Sequence, residues 1–261
     1  MSYLEQFHHK ITGPEKGPRL VFLHGLMGYW ANWRGIISAF EKDYRILAYD
    51  QRGHGRSMKP QSGYGPEEYA EDLRLILDEL GWDRIHIVGH SMGGRAAVHF
   101  TSKFPQRIKK LVVEDIGPEA EGDGVEYYES LFAKVPTPFR DKKLAKEFLY
   151  NNFNPVLGAY LYSNIDETEP DKFDWRFSKS AILESVRAGL TSRWVDWKAI
   201  QAPTLLIRGE LSGTLKLETF EKLSRVNPKI RGVEIKGSGH WVHFEKPKEF
   251  IEAVQKFLES E

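Results

Sequence analysis

Six short apolar runs recur along the chain, at residues 20–23, 46–50, 85–89, 111–115, 204–208 and 232–236. They are rich in Leu, Ile and Val and lack the clean polar alternation of a half-exposed strand. Such runs are expected of strands covered on both faces of a parallel sheet. Between them, residues 66–80, 92–104 and 217–226 carry helical spacing. Residues 247–258 place Phe250, Ile251, Val254, Phe257 and Leu258 on one stripe behind Pro247. Proline suits a first helical turn, where its missing N–H would have no partner anyway. Strand and helix units alternating in this way predict an α/β fold on a doubly wound, mostly parallel sheet.

The rhythm breaks between residues 119 and 198. No convincing strand stands out there, and aromatics crowd in, among them Tyr127, Tyr128, Phe132, Phe139, Tyr160, Trp175, Phe177 and Trp197. The plain reading is a set of helices packed into an ordinary core. The preferred reading is a helical lid inserted between two core strands, because covering the open end of the sheet uses its apolar face and leaves a substrate pocket beneath. The expected division is a core of residues 1–118 and 199–261 with a lid at 119–198.

Composition narrows the picture. A chain of 261 residues with 41% hydrophobic content can bury one large core. Lys+Arg and Asp+Glu both total 37, so no net charge draws the chain to nucleic acid or to anionic membranes. Neither is an expected partner. The absence of cysteine excludes disulfides, thiolate catalysis and Cys-ligated metals. The first residues lack a basic start followed by an apolar stretch, and no run approaches the roughly 18–20 apolar residues of a membrane span. The expectation is a soluble, cytoplasmic enzyme, monomeric or weakly homo-oligomeric.

The chemistry centres on residues 85–94, an apolar run passing into Gly89-His90-Ser91-Met92-Gly93 and then a helix. A serine on a sharp strand-to-helix turn presents its hydroxyl above the sheet, and flanking glycines relieve the crowding there. Ser91 is therefore the candidate nucleophile. Upstream, the run at 20–23 opens into His24-Gly25-Leu26-Met27-Gly28. The expected oxyanion-hole donors are the backbone N–H groups of Leu26 and of Met92, while His24 is assigned a local structural hydrogen bond.

Of nine histidines, His240 is the candidate base. It follows the last strand, at the carboxyl edge where open α/β sheets gather their ligands, and it comes after the serine as the fold's chain order requires. His8, His9, His86 and His99 read as surface or packing groups, His54 as part of a polar turn, and His90 as the elbow's variable position, aimed away from the hydroxyl. His240 and His243 could in principle share a metal, but no third ligand is evident, and no cofactor is expected.

Taken together, His24-Gly25, the Asp50-to-Ser57 turn, Gly89-His90-Ser91-Met92-Gly93-Gly94 and Gly239-His240-Trp241-Val242-His243 resemble the α/β-hydrolase superfamily, from about residue 20 to 258. Residues 111–118 and the Gly-His-Trp-Val-His ending resemble a subgroup of bacterial esterases and thioesterases related to α/β-hydrolase domain protein 11. The resemblance implies an acid in a Gly-x-x-Asp turn after the penultimate strand, where this chain has Gly209-Glu210-Leu211-Ser212. Ser212 cannot be the buried anion that supports a histidinium. Asp115, at the end of the earlier strand, is favoured as the acid, and displaced Glu210 is the alternative.

The implied activity is hydrolysis of small to medium acyl esters or acyl-CoA thioesters by a Ser-His-Asp triad. C–C bond hydrolases, cofactorless haloperoxidases and a non-catalytic ligand-binding protein on the same scaffold are the competing readings.

Overall fold

A computed structural model of the chain describes residues 2–120 and 124–260. Seven strands form the main sheet: β1 (His9–Thr12), β2 (Arg19–Leu23), β3 (Arg45–Tyr49), β4 (Ile85–His90), β5 (Ile108–Glu114), β8 (Thr204–Gly209) and β9 (Ile230–Ile235). Their order is β1-β3-β2-β4-β5-β8-β9, with β1 antiparallel to β3 and every other pairing parallel. All six strands expected from apolar runs are present. The polar edge strand β1, half-exposed along its length, carries no apolar signal and was not expected.

Helices cover both faces, as a buried parallel sheet requires. On one face α2 (Pro66–Leu80), α3 (Met92–Lys103) and α8 (Trp194–Ala199) pack Leu73, Leu77, Phe100 and Trp197 against Leu111 and Val113. On the other, α1 (Arg34–Ile37) and α11 (Pro247–Glu259) pack Ile36, Phe250 and Val254 against Phe22 and Val112. The helix α9 (Leu217–Val226) links β8 to β9, and a short α10 (Val242–Glu245) precedes α11. The register aligns the carboxyl ends of the central strands: Leu23 lies beside Gly89, His90 beside Glu114, and Glu114 beside Ile207. Loops leaving β2, β4, β5, β8 and β9 therefore meet at one edge of the sheet.

Between neighbouring β5 and β8 the chain makes a long excursion through α4 (Gly124–Lys134), α5 (Lys142–Asn152), α6 (Pro155–Ser163) and α7 (Lys179–Gly189). Residues 121–123 of the expected lid lie outside the described residues. This stretch is not purely helical. Its strands β6 (Ile165–Glu169) and β7 (Lys172–Trp175) form an antiparallel hairpin. A hairpin of mostly charged residues has little strand propensity of its own. Here Ile165, paired with Trp175, is tied into an apolar cluster that supplies the missing drive. Within the excursion Phe132, Trp175 and Phe177 pack on one another and Phe139 packs on Phe148, while Trp197 joins the main core.

Candidate active site

The backbone explains why β4 and α3 meet as they do. Ser91 adopts φ 50° and ψ −117°, a conformation that β-carbon sterics disfavour, and its N–H donates to the Glu114 carbonyl at 3.0 Å. The turn closes only because its neighbours lack side chains. A β-carbon on Gly93 would stand 2.5 Å from the Leu23 carbonyl oxygen, and one on Gly89 2.6 Å from that of Gly93.

Above this turn, His240 Nε2 lies 3.1 Å from Ser91 Oγ, and His240 Nδ1 lies 2.8 Å from Asp115 Oδ2. Nδ1–H donating to the carboxylate leaves Nε2 free to accept the serine hydroxyl, the tautomer a general base needs. Asp115 is fully buried, with φ 50°. Its Oδ1 accepts the Gly209 N–H at 3.0 Å, and its Oδ2 also accepts the Ser212 hydroxyl at 2.5 Å. Three donors thus surround a charge that water does not reach. Glu210 faces elsewhere. Its carboxylate accepts Lys236 Nζ at 2.8 Å and the Gly237 N–H at 2.9 Å, and these partners hold its pKa below the usual carboxylate range.

Leu26 and Met92 line the same cavity as Ser91 and His240, a space of about 440 Å³. Neither amide meets an acceptor among the described residues. The Leu26 loop is gripped on two sides. Tyr160 donates its hydroxyl to the Leu26 carbonyl at 2.6 Å, and burial keeps that phenol protonated by raising its pKa. On the other side His54 Nε2 accepts the Met27 N–H at 3.1 Å while its Nδ1–H donates to the Arg52 carbonyl at 2.9 Å. Burial drives His54 down to about 4, so it stays a neutral acceptor. His24 sits behind the loop, accepting the Gln51 N–H at 2.9 Å.

Residues 18–247 match the protein family described as the alpha/beta hydrolase fold. The chain belongs to that family. Among relatives, a Haemophilus influenzae protein named as a candidate esterase/lipase is 32% identical over 262 residues, spanning 98% of this chain and 88% of its own. The mouse sn-1-specific diacylglycerol lipase ABHD11 is 28% identical over 262 residues, 96% of this chain and 84% of the relative. Among solved structures, E-2-(acetamidomethylene)succinate hydrolase superposes with a TM-score of 0.87 at 25% identity, covering 97% of this chain and 95% of that one.

Behind the exposed chemistry of this α/β hydrolase lies a layer that sequence reasoning did not find. Buried Glu114 accepts the His243 backbone N–H at 2.9 Å and its Nδ1–H at 2.8 Å. His90 donates Nε2–H to the His240 carbonyl at 3.0 Å, and burial holds its own pKa well down. His90, Glu114 and His243 bring possible ligand atoms within 4.8 Å of one another, but these hydrogen bonds already engage one such atom on each residue. His243 therefore fixes the loop that carries His240. One signal for this layer was available: Glu114 is a carboxylate at the end of a run otherwise apolar on both faces.

Proposed function

We propose that this α/β hydrolase is a serine ester hydrolase acting by acyl transfer, with Ser91 as nucleophile, His240 as base and Asp115 as acid. One observation carries this reading: the unbroken chain of contacts from Ser91 Oγ to His240 Nε2 at 3.1 Å and from His240 Nδ1 to Asp115 Oδ2 at 2.8 Å. It opens into a cavity where the Leu26 and Met92 amides are free to meet an oxyanion. His240 takes the Ser91 proton as the oxygen attacks the carbonyl, and the oxyanion rests on the two amides. His240 then protonates the departing alcohol or thiol, and water repeats the cycle on the acyl-enzyme.

Residues 119–198 act in this reading as a cap. From it Tyr127, Tyr128, Val186 and Gly189 complete the cavity wall. The volume lies within the usual range of about 300–1,000 Å³ for small-molecule sites, which suits small to medium acyl esters and the acyl part of thioesters. Fluorophosphonate labelling tests the reading directly. Wild-type protein is expected to label and to hydrolyse p-nitrophenyl esters, and Ser91→Ala to do neither. Folded wild-type protein that fails to label while a control hydrolase does would leave a binding protein on the hydrolase scaffold.

A further inference from the structure

Among the described residues that line the cavity, one carries a permanent charge: Arg95. Tyrosines, apolar side chains, glycines and hydroxyls make up the rest of the wall apart from His240, and no described carboxylate is among them. The Arg95 Nε is buried without an acceptor, and the side chain forms no ion pair among the described residues. The nearby Arg193 offers no relief. It repels Arg95, and its own charge is answered by Glu67, with Nη2 and Oε2 at 2.9 Å. Burial and this repulsion pull Arg95 down to about 10, which still leaves it cationic at neutral pH.

A half-buried guanidinium without a counter-ion is costly to retain. Space has nevertheless been left for it. The Arg95 head lies against the backbone of Gly189 on α7, where any β-carbon would collide with Nη1. Arg95 also stands four residues after Ser91, at the start of α3. Both residues line the same cavity, so a group held by Arg95 shares that space with a carbonyl held at Ser91.

The geometry points to Arg95 as the recognition site for a carboxylate carried by the substrate itself. The planar guanidinium fork matches a carboxylate bidentately, and the apolar wall around it strengthens the pair by excluding water. The substrates implied are esters or thioesters bearing a second, ionised carboxyl group a short distance from the scissile bond, such as half-esters of dicarboxylic acids. This deepens the proposed esterase reading and rests on it.

The test compares kcat/KM for matched charged and neutral esters. Mono-p-nitrophenyl adipate and suberate are set against p-nitrophenyl hexanoate and octanoate, placing the carboxylate on the acyl side. The 4-carboxyphenyl and 4-carbamoylphenyl esters of hexanoic acid place it on the leaving group. Wild-type enzyme is expected to prefer at least one carboxylated ester by about 10- to 100-fold, mainly through KM. Whichever series shows the preference names the half of the substrate that Arg95 holds. Arg95→Met should bring that ratio to one or below, and Arg95→Lys should keep part of it. Gly189→Val, which crowds the guanidinium from the opposite wall, should also lose it.

A wild-type enzyme that hydrolyses the neutral esters yet prefers no carboxylated one overturns the proposal, as does a preference that survives Arg95→Met. Adipate titrated into wild-type protein separates the two readings. Arg95-dependent binding without turnover or fluorophosphonate labelling sinks the esterase reading and leaves the anion site standing. Absence of any such binding sinks the anion site.

Discussion

Asp115 gathers three donors in a place water cannot reach, so its charge should matter far more than that of Glu210. Asp115→Asn is expected to lower kcat by about 10³–10⁴-fold, because the amide favours the wrong histidine tautomer and cannot stabilise the imidazolium. Glu210→Gln should change it by less than about threefold, since its salt bridge to Lys236 is exposed. Steady-state kinetics on one p-nitrophenyl ester checks both, and equal losses would overturn the assignment. Ser212→Ala removes a short donor from Asp115 Oδ2. Its loss should cost roughly 1.5–3 kcal/mol in transition-state stabilisation, read as a fall of about tenfold or more in kcat. This residue also marks what a sequence can hide. Serine in the acid's customary turn reads as a lost carboxylate, and only the folded turn reveals that it hydrogen-bonds a carboxylate arriving from another strand. Ser91 and His240 were legible because glycines and an adjoining apolar run betray the turns that hold them.

The elements divide the same way. Residues 66–80 and 217–226 were expected as helices and are helices, and the former has local punctuation at both ends: Pro66 in its first turn and a left-handed Gly81 at its close. The β6–β7 hairpin has no such signal in Ile165-Asp166-Glu167-Thr168-Glu169, because tertiary packing of its flanking apolar residues decides its form. Two junctions between elements invite measurement. Gly93→Ala would set a methyl against the carbonyls of Leu23 and His24, where β2 ends. The expected result is a loss of about 1–3 kcal/mol or more in urea unfolding, with the elbow displaced. Tyr160→Phe leaves the packing but frees the Leu26 carbonyl. It should lower kcat severalfold with little change in Tm, and an unchanged kcat would show that the loop holds its shape unaided.

Taken whole, the molecule is built around histidines that must stay neutral. Burial lowers His54 and His86 to about 4 and His24 and His90 well below their ordinary value. An unfolded chain binds protons at these sites below about pH 6.5 and the folded one does not, so stability is complete above that value and falls as pH drops toward 4. His54 and His86 should each cost about 2 kcal/mol by pH 5, or about 4 kcal/mol together. Urea unfolding at pH 7 and pH 5 measures the difference, and equal stabilities would contradict it. The same view of the whole chain gives meaning to where the long excursion begins and ends. It leaves from β5 and returns to β8, which are hydrogen-bonded neighbours, so the sheet's register does not depend on what lies between them. A foreign excursion spliced between these two strands should therefore leave the sheet standing, while the Leu26 loop would lose the Tyr160 hydroxyl that grips it.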